Sequence, residues 1–184
     1  MGMQIESGTG KAYSAAVDSE NRLATTSVSE PLDHHINVES GKVWSVPFEN
    51  IINAGADDYI IYIKNTGTND LYVTDFRIAC SAATQIEIHG VTGTAGGSPT
   101  SITAVSRTIG SAAAPSADLY SDPDITGLTT AGTLFYMHAA VANTLYHLGT
   151  TSNIIIPKSK AIAVLVETTT ITTTGVISLV EAQA

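Results

Sequence analysis

The chain has 184 residues, 43% of them hydrophobic and only 14% charged, with a mean hydropathy of +0.18. Disorder needs the opposite balance, so most of the chain folds, and its length suits one domain with an appendage. Seventeen acidic residues against eight basic ones give a net charge of −9 and a pI of about 4.7. That balance argues against nucleic acid and anionic lipid surfaces as partners and leaves docking on a basic patch open.

Cys80 is the only cysteine, so no internal disulfide can form. Within the apolar run FRIAC it reads as a buried, inert thiol. No apolar run reaches the roughly 18 residues of a membrane span. The start lacks the basic and apolar regions of a signal peptide, and Glu6 stands where a myristoylation motif wants Ser or Thr. Cytoplasmic synthesis is the expectation.

The first forty residues are mixed in composition yet hold few large apolar side chains. Residues 1–36 read as an extended N-terminal arm, and residues 37–184 as the body. Within the arm, residues 13–17 and 22–28 flank the turn-rich Asp18-Ser19-Glu20-Asn21 and predict a small hairpin, with a marginal helix over residues 12–23 as the rival. Gly8-Thr9-Gly10 reads as a flexible joint. An isolated hairpin is barely stable in water, so the arm is expected to dock. Ile5, Tyr13, Val17, Arg22, Leu23 and Val28 are its candidate contact residues for a capsid or a neighbouring subunit.

From Lys42 the strand signals come regularly. Residues 43–52 are apolar and β-branched, with Pro47 restricting them to an edge or bulge. Residues 58–64 (DYIIYIK) are nearly continuous apolar, and residues 71–80 follow a turn cluster at 65–70. In residues 84–91, Ile86 and Ile88 alternate with Gln85, Glu87 and His89, the pattern of a half-buried strand. Residues 92–98 read as a Gly-rich loop, 100–109 as a strand, and 110–127 as a long connection. Strands are predicted at 133–140, 144–148, 153–157, 161–167 and 176–181, the 161–167 segment covered on both faces. Residues 168–175, threonine-rich, read as a polar hairpin tip. Many short strands with frequent turns and no convincing helix predict an all-β fold, a β-sandwich of jelly-roll-like topology with an immunoglobulin-like order as the alternative.

Chemistry is sparse. Gly8-Thr9-Gly10-Lys11 has the outline of a phosphate loop, but Ile5 stands where the first Gly belongs and Ala12 follows the Lys. Adjacent His34 and His35 would point to opposite faces of a strand and read as polar linker. His89, His138 and His147 read as hydrogen-bonded structural or interface residues. Asp118, Asp122 and Asp124 are the weak metal candidates, since spaced carboxylates can hold Ca²⁺, although Pro123 interrupts a calcium-loop pattern. No Gly-x-Ser-x-Gly elbow or coupled Ser, His and Asp is visible, so no catalytic residue is assigned, no cofactor is implied, and the chain is not expected to be an enzyme. Tyr59, Tyr62, Tyr72, Tyr120, Tyr136 and Tyr146 lie mostly in apolar strands, where they pack or line a subunit interface.

The segments IESGTGKAYSAAVDSENRL, YIIYIKNTGTNDLYVTDFRI, TQIEIHGVTGT, DITGLT and NIIIPKSKAIAVLVE resemble small β-sandwich structural proteins of tailed-phage virions, of the capsid decoration, cement or head-fibre type. The likeness spans most of the chain as a general pattern. It implies assembly on the capsid surface of a virion, with the major capsid protein or another virion protein as partner, and a homo-oligomer, a trimer first. A cement role, binding and stabilising the assembled shell, is the expected function. A fibre or receptor-binding role, with residues 92–98 and 110–127 meeting a host glycan or surface protein, is the alternative.

Overall fold

The computed structural model describes residues 4–6, 12–14, 42–148 and 154–181. The chain divides into two units, Met1–Pro31 and Leu32–Ala184. In the first, β1 (Gln4–Glu6) pairs antiparallel with β2 (Ala12–Ser14), and Ile5 faces Tyr13 across the pair. The predicted strand at 13–17 is thus represented by β2, and its described partner precedes it in sequence. The proposed second half at 22–28, the turn at 18–21 and the joint at Gly8–Gly10 lie outside the described residues.

The second unit holds β3 (Val43–Ile52), β4 (Asp58–Asn65), β5 (Leu71–Cys80), β6 (Thr84–Gly96), β7 (Thr100–Ser101), β8 (Val105–Ser106), β9 (Ala117–Ser121), β10 (Thr126–Ala139), β11 (Leu145–Leu148), β12 (Ile154–Ile156), β13 (Ala161–Val166) and β14 (Thr172–Glu181). No helix occurs among the described residues. One sheet runs β10-β6-β13-β4-β9-β7, the other β11-β5-β14-β3-β8, with β12 joining β5 on the same edge as β11. Every pairing is antiparallel. The chain repeatedly crosses from one sheet to the other, β3 to β4, β5 to β6, β10 to β11 and β13 to β14. The two sheets pack as a β-sandwich.

Alternation explains the packing. In β13, Ile162, Val164 and Val166 join the core between the sheets, while Ala161 and Ala163 turn outward to a second cluster with Tyr62, Val91 and Ile125. All six β13 residues are buried, so the expectation of two covered faces holds. In β5 the inward rhythm would fail between Val73 and Phe76, but β14 slips one residue in register there, and the bulge lets both side chains reach the core. Each fully buried side chain of the size of Ile or Phe contributes about 1.5–3 kcal/mol. Pro47 also fits its strand, because β8 pairs only with Trp44 and Ser45 and leaves Pro47 beyond its end.

Four readings need correction. The supposed loop at 92–98 is strand as far as Gly96, because β10 pairs with it throughout. Glycine is what permits this. Gly93 and Gly127 have φ of 99° and 76°, and a Cβ on Gly93 would lie 2.3 Å from the Gly127 carbonyl oxygen. The supposed strand at 100–109 is two short bridges, β7 in one sheet and β8 in the other, because the segment passes between sheets. The connection at 110–127 contains β9, with Leu119 in the core and Tyr120 stacked on Tyr62 outside it. Residues 168–175 do not form a hairpin tip. β13 and β14 lie in different sheets, and the connection is an arch that ends where β14 starts at Thr172.

Candidate functional site

Of the arm residues, Ile5 and Tyr13 sit opposite each other in the first unit's strand pair. Val17, Arg22, Leu23 and Val28 lie outside the described residues, as do His34 and His35. The three aspartates are not gathered. Asp118 lies within β9 and Asp122 just past its end, about 13 Å apart along an extended segment. Asp122 instead accepts a hydrogen bond from the Asp124 backbone N–H at 3.0 Å, closing a local turn. Among the described residues no group of three or more His, Cys, Asp or Glu is placed to hold a metal ion. Cys80 is buried in the core, and burial pushes its thiol up to about 11, which suppresses the thiolate.

The densest polar cluster lies on the outer face of the β6 sheet, where Gln85, Glu87 and His89 alternate with core residues. His89 is buried, with 7% exposure, and both its ring nitrogens are engaged. Nδ1 meets the Tyr59 hydroxyl at 2.8 Å and Nε2 meets Glu87 Oε2 at 2.5 Å. The Thr133 hydroxyl donates to Glu87 Oε2 at 3.3 Å, and Gln85 donates to both Glu87 and Glu167 at 2.7 Å. Hydrogen bonds from His89 and then Gln85 hold the Glu87 carboxyl below its ordinary range. Burial, and then the negative charge of Glu87, push the Glu167 carboxyl up. Burial, with a smaller contribution from Glu87, likewise raises the Tyr59 phenol. A Glu, a His and a Tyr in a chain resemble a proton relay in composition. The contacts of His89 with Tyr59, Glu87 and Thr133 tie β4, β6 and β10 together. On the opposite sheet His147 Nε2 contacts Asp75 Oδ1 at 2.5 Å, and Arg77 Nε contacts Asp75 Oδ2 at 2.9 Å. His138, on β10, lies opposite Gln85.

The other feature is a bare edge. β10 ends one sheet, and β11 and β12 end the other; residues 140–144 carry the chain from β10 to β11, so the two edges share a side of the sandwich. Along these edge strands and their connection Leu134, Tyr136, Val141, Leu145 and Ile155 are each 50–68% accessible; Tyr136 lies on the outer face of the β6 sheet, opposite Glu87, and Leu145 and Ile155 lie on the outer face of the other sheet. Between Asp124 and Lys158 the sequence has no Asp, Glu, Lys or Arg. Sequence reasoning marks Tyr136, His138, Tyr146 and His147 on these strands, and Tyr146 accepts a hydrogen bond from the Val141 backbone N–H at 2.6 Å. The long charge-free run was the available signal for the rest. At the far side, residues 103–114 curl into an open dish lined by their own loop, pinned where Trp44 Nε1 donates to the Ala113 carbonyl at 2.9 Å. No protein-family model matches the chain, and no curated protein or solved structure matches it.

Proposed function

We propose that this chain is a virion structural protein, a decoration or cement protein that binds the assembled capsid of a tailed phage through the major capsid protein or another shell component. The observation that carries the reading is the division into a small N-terminal unit with a two-stranded pair and a large sandwich. Two strands alone are marginal in water, so the small unit gains its stability from whatever surface it meets. The body supports the reading by its topology. β3-β14-β5-β11 faces β4-β13-β6-β10, the order of an eight-stranded jelly roll, with β7, β8 and β9 added by the β6–β10 connection. Its role is adhesive and no catalysis is assigned to it. Copies associate as a homo-oligomer, a trimer first, so that weak arm contacts sum by multivalency and stabilise the shell by linkage.

A chain lacking residues 1–35 tests this directly. Sedimentation with purified shells is expected to show binding reduced at least about tenfold against the full chain, the scale of a lost multivalent anchor. Undiminished binding would overturn the anchoring role. The fibre or receptor-binding reading draws on one observation, the wholly exposed Ile109 beside Gly110 on the loop between β8 and β9. Binding of the body to a glycan array or host cells, with none to shells, would favour it.

A further inference from the structure

We propose that the edge formed by β10, β11 and β12 is the surface on which a second copy of this chain docks. The inference rests on the oligomeric part of the reading above and names the face that carries it. β10 runs for 14 residues with no strand on its outer side among the described residues, so a row of backbone N–H and C=O groups is left unpaired. Folded chains commonly protect such an edge with lysine, an inward charge or proline. This one has none of these; its protection is three register shifts, at Thr126/Leu128, Thr130/Gly132 and Thr133/Phe135, and beyond the last of them the pairing with β6 runs regularly from Phe135 to Ala139 and includes exposed Tyr136.

Charge selects the occupant. A molecule of net charge −9 repels its own copies over most of its surface, and all of its Asp, Glu, Lys and Arg lie outside residues 125–157. The edge strands those residues build carry no Asp, Glu, Lys or Arg of their own, and Glu87 lies one strand in, opposite Tyr136, so two copies meet there at a lower like-charge cost than elsewhere. Size makes it a weak, dilution-sensitive contact: β10 is on the order of 40 Å long and the two sheets are about 10 Å apart, a strip of about 400 Å² per partner, at the scale of transient interfaces. Tyr136 and Leu145 are 68% and 60% exposed and flank the edge on the outer faces of the two sheets, where a copy docked along it would cover them.

The test is the mass of the full chain by light scattering across a dilution series. Wild type is expected to be a multiple of 19.1 kDa. The Tyr136→Lys, Leu145→Lys double variant is expected at the single-chain mass with its circular dichroism unchanged, and Ile109→Lys, away from the edge, at the wild-type mass. If the lysine variant fails to fold, Tyr136→Ser with Leu145→Ser takes its place and is expected to weaken association at least about tenfold. A wild-type oligomer that survives the edge substitutions overturns this face and leaves oligomerisation standing. A monomeric wild type overturns both, while shell sedimentation judges the virion role separately.

Discussion

Lys42, just before β3, and Glu181, the last residue of β14, are joined by several hydrogen bonds. The Lys42 ammonium reaches Glu181 Oε1 at 2.8 Å, Asn69 donates to the same oxygen at 3.1 Å, and the Glu181 backbone N–H donates to the Lys42 carbonyl at 3.1 Å. Burial opposes ionisation of this carboxyl, but the hydrogen bonds from Lys42 and Asn69, with the charge of Lys42, outweigh it and hold the group below its ordinary 4.5. A carboxyl depressed in the folded state contributes stability that is fully present above its unfolded value and is lost as pH falls through the folded one. The contribution is therefore present at neutral pH and fades below 4.5. Glu181→Gln should lower stability by about 1 kcal/mol at neutral pH and make the protein less sensitive to acid. Thermal unfolding of both forms at about pH 7 and about pH 3 checks this; equal losses of Tm on acidification would refute it. Glu167 titrates with the opposite sign, since its raised carboxyl penalises the folded state above its ordinary value.

Between elements, the crossings are fastened by buried asparagines. Asn53, at the end of β3, donates through Nδ2 to the carbonyls of Gly55 at 2.6 Å and Thr168 at 2.7 Å, and its Oδ1 accepts from the Ile171 N–H at 2.7 Å. One amide thus pins the arch between β13 and β14 to the β3–β4 turn, in the opposite half of the sequence. Asn53→Ala leaves those three backbone groups without that partner and should cost about 2–4 kcal/mol, measured by urea unfolding. A loss below about 0.5 kcal/mol would show that they find other partners. Asparagines of this kind also explain what the sequence hides. The strands at Val43–Ile52 and Leu71–Cys80 were legible to the residue, because apolar alternation against a core is a local signal. The arch at 168–175 was not, because an amide cannot announce which distant carbonyls it will meet. β9 was missed because Leu119 and Tyr120 give too short an alternation between prolines and aspartates. For the site, the alternating Gln85, Glu87 and His89 correctly marked an outer face, but Tyr59 and Thr133 come to it only through strand pairing. The bare edge was legible as an absence of charge.

Across the whole sandwich, β14 holds β3, the first strand of the second unit. β14 lies between β3 and β5 inside its sheet, pairing from Thr172 to Val180 with one and from Thr173 to Glu181 with the other. Its inward side chains, Ile177 and Leu179, are in the central core, and Val180 is fully buried as well. An edge strand such as β10 could be damaged and leave a sheet behind it, but removing β14 severs β3 and β8 from β5, β11 and β12. It also strips hydrogen-bond partners from both neighbours at once, which burial elsewhere cannot replace. Marginal stability of about 5–15 kcal/mol for a whole domain cannot absorb the loss of two large apolar side chains and two ladders. A chain ending at Thr170 should therefore show no cooperative thermal transition and should bind a hydrophobic dye, even though the β6 sheet retains all its strands. Dispersed amide signals and a sharp transition in that truncated chain would mean the two sheets are stable independently. If the cooperative loss is seen, the body forms only once β14 is present, with β3 waiting for a partner more than a hundred residues away. The sandwich would then close on itself as one unit, both sheets together, and any docking would follow that closure.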